Sequence, residues 1–111
     1  MLKNLRKSFS SISLPLRPPS FWLLDGKSFP TETKTTTKEM LRVYEEMVSM
    51  RKLEILADQY YKEKKIHGFC HTFDGEEGLG LGLHLACTHE DPIISGYRIH
   101  SYAYLRGISP V

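Results

Sequence analysis

The sequence predicts an α/β fold that is mainly helical, and three observations along the 111-residue chain lead to that prediction. Apolar residues recur at spacings of three and four between Thr36 and Lys65, which is typical of an amphipathic helix. A second segment opens after Asp74 with the residue order of a helix start. A turn at Asp91-Pro92 then leads into a short apolar run, Ile93 to Ser95, which indicates a buried strand.

The long helix is predicted to run from Thr36 to Lys65. Thr36 and Glu39 have the spacing of a capping box, and lysines gather at the other end before Gly68. An apolar stripe at helical spacing is more often core than a ligand groove, so we expect it to be packed. Only about forty-five residues follow, so much of its cover is expected from another chain. The stripe consists of Met40, Val43, Met47, Met50, Leu53, Ala57 and Tyr60.

The second helix is predicted to start at Asp74, with Glu77 as the reciprocal capping partner, and to continue through Leu85. It contains Gly78, Gly80 and Gly82. Three glycines inside a helix cost on the order of 3 kcal/mol relative to alanine, and close backbone approach to a neighbouring element would compensate that cost. A phosphate-binding loop is the alternative interpretation. The spacing matches neither the dinucleotide fingerprint nor a P-loop, so packing is favoured.

Composition and charge exclude two classes of partner. Aromatic, aliphatic and charged residues occur in ordinary globular proportions, and no apolar run approaches the roughly 20 residues of a membrane span. The net charge of +2 is unevenly placed, because residues 1–24 hold four bases and no acid. Without them, eleven bases face thirteen acids, a net charge of −2 that does not suit a nucleic-acid surface. We therefore expect neither a nucleic-acid nor a membrane partner.

Residues 1–24 have the composition of a mitochondrial transit peptide. The segment is basic, serine-rich and acid-free, and its leucines and phenylalanine can line one face of a short helix before the prolines interrupt it. A disordered basic tail is the alternative. We assign residues 25–35 to a linker and residues 36–111 to a partial domain.

Three residues in the last third of the chain are candidates for binding an anion or a substrate. Tyr97 and Arg98 follow the predicted strand at its carboxyl end, where ligands of open α/β sheets bind. The planar guanidinium of Arg98 can donate two parallel hydrogen bonds to phosphate, whereas an ion pair with Asp74 or Glu77 is equally compatible with the sequence. His71 can act on a substrate or simply cap a backbone carbonyl.

The cysteines and neighbouring histidines give weaker signals. Cys70, His71, Cys87 and His89 are chemically suitable zinc ligands, but their spacing does not match the patterns that close a tetrahedron. Neither thiol has an identifiable activating base, so a cysteine nucleophile is not supported. In the absence of a secretory signal, we expect both cysteines to remain thiols.

Three segments resemble the alpha subunits of mitochondrial pyruvate dehydrogenases, members of the thiamine-diphosphate-dependent 2-oxo acid dehydrogenase family. They are "YYKEKKIHGFCHTFDGEEG", "HEDPIISGYRIHSY" and "LRGISP". The resemblance runs from about Thr37 to Val111, and its specific motifs are G-F-C-H-x-x-D-G-x-E and Y-R-x-H. It implies the N-terminal, mainly helical part of a thiamine-diphosphate-binding fold, truncated after the first short strand.

The resemblance also implies roles for individual residues. Tyr97 and Arg98 match the residues that contact the cofactor diphosphate, and His71 matches a catalytic histidine near the substrate. The implied cofactor is thiamine diphosphate with magnesium, and the implied substrate is pyruvate. The implied partners are a beta subunit, in a heterotetramer of two alpha and two beta subunits, and a lipoyl acetyltransferase component. The location is the mitochondrial matrix.

The family's magnesium-binding segment, G-D-G followed by N-N, is expected beyond Val111. Ser109-Pro110 has the form of a helix start, which indicates truncation. We therefore expect this chain to be inactive alone, with no metal ligand among its own residues. A non-catalytic interaction fragment and an unrelated helical adaptor are the alternatives.

Overall fold

The computed structural model describes residues 10–20 and 29–109. These residues form strands β1 (Ser11–Pro15) and β2 (Glu32–Thr36) and helices α1 (Thr37–Lys62), α2 (Glu77–Ala86) and α3 (His100–Leu105). The mainly helical α/β class is therefore confirmed. The chain divides into two compact units, residues 1–42 and residues 43–111, and no described helix is long and apolar enough to cross a bilayer.

The first unit contains an antiparallel strand pair that the sequence analysis did not predict. β1 pairs with β2 from Ser11 opposite Thr36 to Pro15 opposite Glu32. Ile12 and Leu14 alternate with serines in β1, and β2 is rich in β-branched threonine, which favours extended backbone. The short helix predicted in the leader is therefore wrong for residues 11–15, and the rest of that prediction, residues 1–9, lies outside the described residues.

Helix α1 confirms the long-helix prediction to within three residues at its end. The Thr36 hydroxyl oxygen accepts a hydrogen bond from the Glu39 backbone N–H at 3.2 Å, as a capping box requires. The Glu39 carboxylate, however, accepts from the Thr35 hydroxyl at 3.1 Å. The helix ends before Gly68, because Lys64 adopts a positive φ of 58° and the Lys65 N–H bonds back to the Tyr60 carbonyl at 2.9 Å.

The core of the second unit is small. Met50, Phe73 and Leu81 are its buried apolar residues, and partly buried side chains from α1 and α3 pack around them. The middle of the α1 stripe is thus covered by this chain itself. Met40 and Tyr60, at the two ends of the stripe, are 41 % and 40 % exposed, so additional cover from another chain stays a prediction for both ends.

Helix α2 is confirmed, but its predicted cap is wrong. The helix begins at Glu77 with Glu76 as the capping residue, and no side chain caps it. Asp74 accepts a hydrogen bond from the Thr72 hydroxyl instead, while the Glu77 carboxylate accepts from the Gly75 N–H at 3.1 Å. The cap moves because the backbone turns at Gly75, which has a φ of 92°.

Close packing accounts for only one of the three glycines in α2. A Cβ atom added to Gly80 would lie 2.9 Å from the Phe73 ring and 3.2 Å from the Met50 methyl carbon. At Gly78 and Gly82 nothing lies within 4 Å of such an atom. Of these three glycines, only Gly80 therefore shows the close approach to a neighbouring element that was predicted to compensate its helix-propensity cost.

The buried strand predicted at Ile93–Ser95 is wrong. These residues have no regular secondary structure, and Ile94 is 99 % exposed. A strand requires a hydrogen-bonded neighbour, and the two described strands pair only with each other. The helix start predicted at Ser109-Pro110 extends beyond residue 109, outside the described residues.

Candidate functional site

The structure places His71 and Tyr97 in direct contact. Their ring centroids are 4.2 Å apart, with an angle of 30° between the planes. Phe69 lies on His71 at the same centroid distance, tilted by 45°. Phe69 and Tyr97 are 78 % and 67 % exposed, so the three rings form a surface array. The Gly68 turn, with a φ of 89°, carries the chain from α1 into this array.

Arg98 and Tyr97 line a shallow cleft of about 350 Å³ in the second unit. The guanidinium carbon of Arg98 lies 5.9 Å from the centre of the Tyr97 ring. His71 is not part of the cleft lining, but it contacts the lining through Tyr97. The lining residues are Phe73, Glu76, Ser95, Gly96, Tyr97, Arg98 and Tyr102.

The nearest acid to Arg98 is neither of the two carboxylates considered from sequence. Its Nη1 atom lies 3.4 Å from Glu76 Oε1, and the two side chains are 47 % and 39 % exposed. A long, half-exposed pair of this kind contributes little stability, because water screens both charges. The Arg98 guanidinium is thus able to exchange Glu76 for an incoming anion at small cost.

Glu77 forms an ion pair with Arg51 rather than with Arg98. Arg51 Nε and Nη2 donate to its two carboxylate oxygens at 2.5 and 2.8 Å, a bidentate fork between α1 and α2. The Arg51 hydrogen bond, opposed by burial, lowers the pKa of Glu77 to about 2. The same contact raises the pKa of Arg51. This pair holds two helices together and leaves neither charge free for a ligand.

A second buried carboxylate, Glu54, was missed by the sequence analysis. It is 1 % exposed, and its two oxygens lie 3.1 and 3.0 Å from Nδ1 of His100. One signal was available: Glu54 is four residues after Met50 and seven after Met47, so it falls within the apolar stripe of α1. A charge on that face indicates a buried partner.

Both cysteines are free thiols. Burial raises the pKa of the Cys70 thiol, and the negative charges of Glu54 and Asp58 raise it further. A raised pKa reduces the thiolate fraction, so Cys70 is a poor nucleophile. Across residues 10–20 and 29–109, no three histidine, cysteine or acidic side chains are arranged to hold a metal ion.

Comparison with known protein sequences shows what this chain is similar to. The sequence profile of the family described as dehydrogenase E1 component matches residues 45–111. The pyruvate dehydrogenase E1 component subunit alpha, mitochondrial, of Schizosaccharomyces pombe is 48 % identical over 79 residues. Its testis-specific counterpart in Rattus norvegicus is 45 % identical over 80 residues, and subunit alpha-2 of Arabidopsis thaliana is 45 % identical over 109 residues.

These matches take in most of this chain and a small part of each relative. They cover 71 %, 72 % and 94 % of the chain, and 19 %, 20 % and 27 % of the proteins from Schizosaccharomyces pombe, Rattus norvegicus and Arabidopsis thaliana, respectively. The chain therefore spans about a fifth to a quarter of the length of these relatives. His71, Tyr97 and Arg98 all lie within the residues that the family profile matches.

Proposed function

We propose a function for this chain from its family: the chain belongs to the dehydrogenase E1 component family. The function is that of part of a pyruvate dehydrogenase alpha subunit. Such a subunit takes part in the oxidative decarboxylation of pyruvate and the transfer of the acetyl group to a lipoyl group, which leads to acetyl-CoA. The names of the relatives from three organisms support this proposal.

The observation that carries the proposal is that Tyr97 and Arg98 are neighbours in the lining of one cleft, with the His71 ring stacked on the Tyr97 ring. A guanidinium and a phenol O–H are donors that suit phosphate oxygens, and both side chains are accessible. The donor set therefore fits the diphosphate end of thiamine diphosphate. Glu76 is the one acid in the cleft lining, and its loose contact with Arg98 permits exchange.

Each of the three residues then has a distinct role. Arg98 neutralises diphosphate charge, and the Tyr97 hydroxyl donates a hydrogen bond to a phosphate oxygen. The thiazolium ring of the bound cofactor supplies the electron sink for loss of carbon dioxide. The His71 imidazole is proposed to hold or deliver a proton at the 2-oxo group of pyruvate, the chemistry that a histidine performs near neutral pH.

The proposal extends to partners and magnesium. We propose a heterotetramer of two alpha and two beta subunits that delivers acetyl groups to a lipoyl acetyltransferase component. Magnesium ligands are proposed to come from a segment beyond this chain. Because the chain spans only part of each relative, we propose that it does not turn over pyruvate alone.

We propose that the protein functions in the mitochondrial matrix and that residues 1–24 serve as its transit peptide, ahead of a linker at residues 25–35. The relatives are named as mitochondrial proteins, which supports the location. Residues 11–15 of this leader pair with residues 32–36 as strands, so import requires that pairing to open. N-terminal sequencing of the protein recovered from mitochondria would locate the cleavage site.

Calorimetric titration of the purified chain with inorganic pyrophosphate tests the proposed role of Arg98 in binding the diphosphate. Arg98→Ala is expected to weaken binding by roughly tenfold or more, the value of a charge-assisted hydrogen bond. Lys62→Ala is the matched control, since it removes one positive charge from the same unit but lies outside the cleft lining. Equal affinity of Arg98→Ala and the unmodified chain would contradict the proposal.

A non-catalytic interaction role is the second candidate. Large apolar side chains left exposed in the second unit favour it, among them Ile55 at 60 % and Leu79 at 65 %. Co-purification with a full-length beta subunit, without bound cofactor, would support this role. Pyruvate decarboxylation by the purified chain would contradict it. Family membership leaves no basis for an unrelated helical adaptor.

A further inference from the structure

Glu54 and His100 form the most buried polar pair described in the second unit. Glu54 lies on α1 and is 1 % exposed, whereas His100 is the first residue of α3 and keeps 34 % of its side chain exposed. Nδ1 of His100 lies within 3.1 Å of both carboxylate oxygens. A buried carboxylate that loses its partner is strongly destabilising, so this contact fixes His100 against α1.

The position of His100 in the chain gives the pair its significance. His100 follows Arg98 by two residues, and consecutive Cα atoms are about 3.8 Å apart, so fixing one restricts the other to a small volume. Tyr97 and Arg98 precede α3 in a segment without regular secondary structure, and α3 has no side-chain cap at its start. The side-chain contact that Arg98 makes with a residue distant in the sequence is its weak ion pair with Glu76.

We infer that Glu54 is a positioning residue that acts through His100 to hold Tyr97 and Arg98 at the spacing a diphosphate needs. The inference rests on the proposed function for its ligand. Glu54 does not line the cleft, so it influences the anion only by fixing the backbone that carries the two donors. Two-point recognition of a diphosphate depends on that spacing, whereas one-point recognition of a monophosphate does not.

Titration of the full 111-residue chain with inorganic pyrophosphate and with inorganic phosphate tests this inference. Glu54→Gln is expected to weaken pyrophosphate binding by about tenfold, the scale on which a lost supporting partner weakens a site. Phosphate binding is expected to change by less than about threefold, so the ratio of the two affinities falls. General loss of folded protein would instead lower both affinities equally.

Glu77→Gln is the matched control, because it also removes a buried acid that contacts a nitrogen-bearing side chain, but on α2. It is expected to lower stability and leave the affinity ratio unchanged. If Glu54→Gln does not fold, variants of the half-exposed partner provide the test. His100→Gln retains an N–H donor toward Glu54 and should keep the ratio, while His100→Leu should lower it. An unchanged ratio in Glu54→Gln or in His100→Leu would overturn the inference.

A measurement without ligand separates this inference from the proposed function. The Tyr97 ring shifts the NMR resonances of the stacked His71 ring, so displacement of Tyr97 in Glu54→Gln should change those resonances in the free protein. If Arg98→Ala leaves pyrophosphate affinity unchanged, the proposed function fails. Even then, the His71 resonances in Glu54→Gln test whether Glu54 fixes the backbone at Tyr97 and Arg98. Unchanged resonances would refute that positioning role.

Discussion

Glu76 is the acidic neighbour of Arg98 in the cleft lining. The two charges lie 3.4 Å apart at a half-exposed site. Glu76→Gln is expected to raise pyrophosphate affinity by about threefold, because it releases the guanidinium and removes a repelling charge from the cleft. Calorimetric titration at low and high salt provides the check, and the gain should shrink as salt screens the charges. A loss of affinity in Glu76→Gln would show that Glu76 orients Arg98.

The residues of the candidate site were only partly predictable from sequence. Spacing alone left Arg98 and His71 between structural and functional interpretations, and the resemblance to a family favoured the functional one. The 4.2 Å stack of His71 on Tyr97 was not predictable, since 26 positions separate the two residues and only the fold brings them together. Their roles stay predictions until a ligand is bound.

The Arg51–Glu77 fork between α1 and α2 predicts a specific response to acid. Contact with Arg51 lowers the pKa of Glu77 from 4.5 to about 2, so the stabilisation is fully present above about pH 4.5 and is lost as the pH falls toward 2. Urea unfolding at several pH values should show the unmodified chain more stable than Glu77→Gln near neutral pH. The difference should shrink below about pH 4.5. A difference that stays constant down to about pH 2.5 would contradict this assignment.

Alanine substitutions at Gly80 and Gly82 of α2 are expected to change the free energy of unfolding in opposite directions. Replacing either by alanine improves helix propensity by about 1 kcal/mol. At Gly80 the new Cβ atom meets the Phe73 ring at 2.9 Å, and overpacking typically costs about 1–3 kcal/mol. Gly80→Ala is therefore expected to lower the free energy of unfolding, while Gly82→Ala, with nothing within 4 Å, raises it. Stabilisation by Gly80→Ala would show that α2 can move away from Phe73.

Helices with strong local signals were predicted, whereas elements that depend on distant partners were not. Apolar periodicity and Thr36 identified α1, and the Glu77 region identified α2. Helix α3 was missed because its six residues are anchored by His100 to Glu54, which is 46 positions away. The strand expected at Ile93–Ser95 failed for the same physical reason, since the apolar run has no neighbouring strand to pair with.

Family membership rests on the second unit, residues 43–111, where the family profile begins at residue 45. That unit buries only three apolar residues completely among those described, and larger apolar side chains stay exposed. Such a small core is consistent with the proposed assembly with a beta subunit. The chain spans about a fifth to a quarter of the length of these relatives, so catalysis by an assembly that contains it stays a proposal.

The most direct test is a crystal structure of the proposed assembly, with this chain extended by the segment proposed to supply the magnesium ligands, together with a beta subunit, thiamine diphosphate and magnesium. The Arg98 guanidinium is expected to leave Glu76 and to lie within hydrogen-bond distance of a phosphate oxygen, beside the Tyr97 hydroxyl. A guanidinium still paired with Glu76, with the diphosphate bound elsewhere, would contradict the proposed role of Arg98.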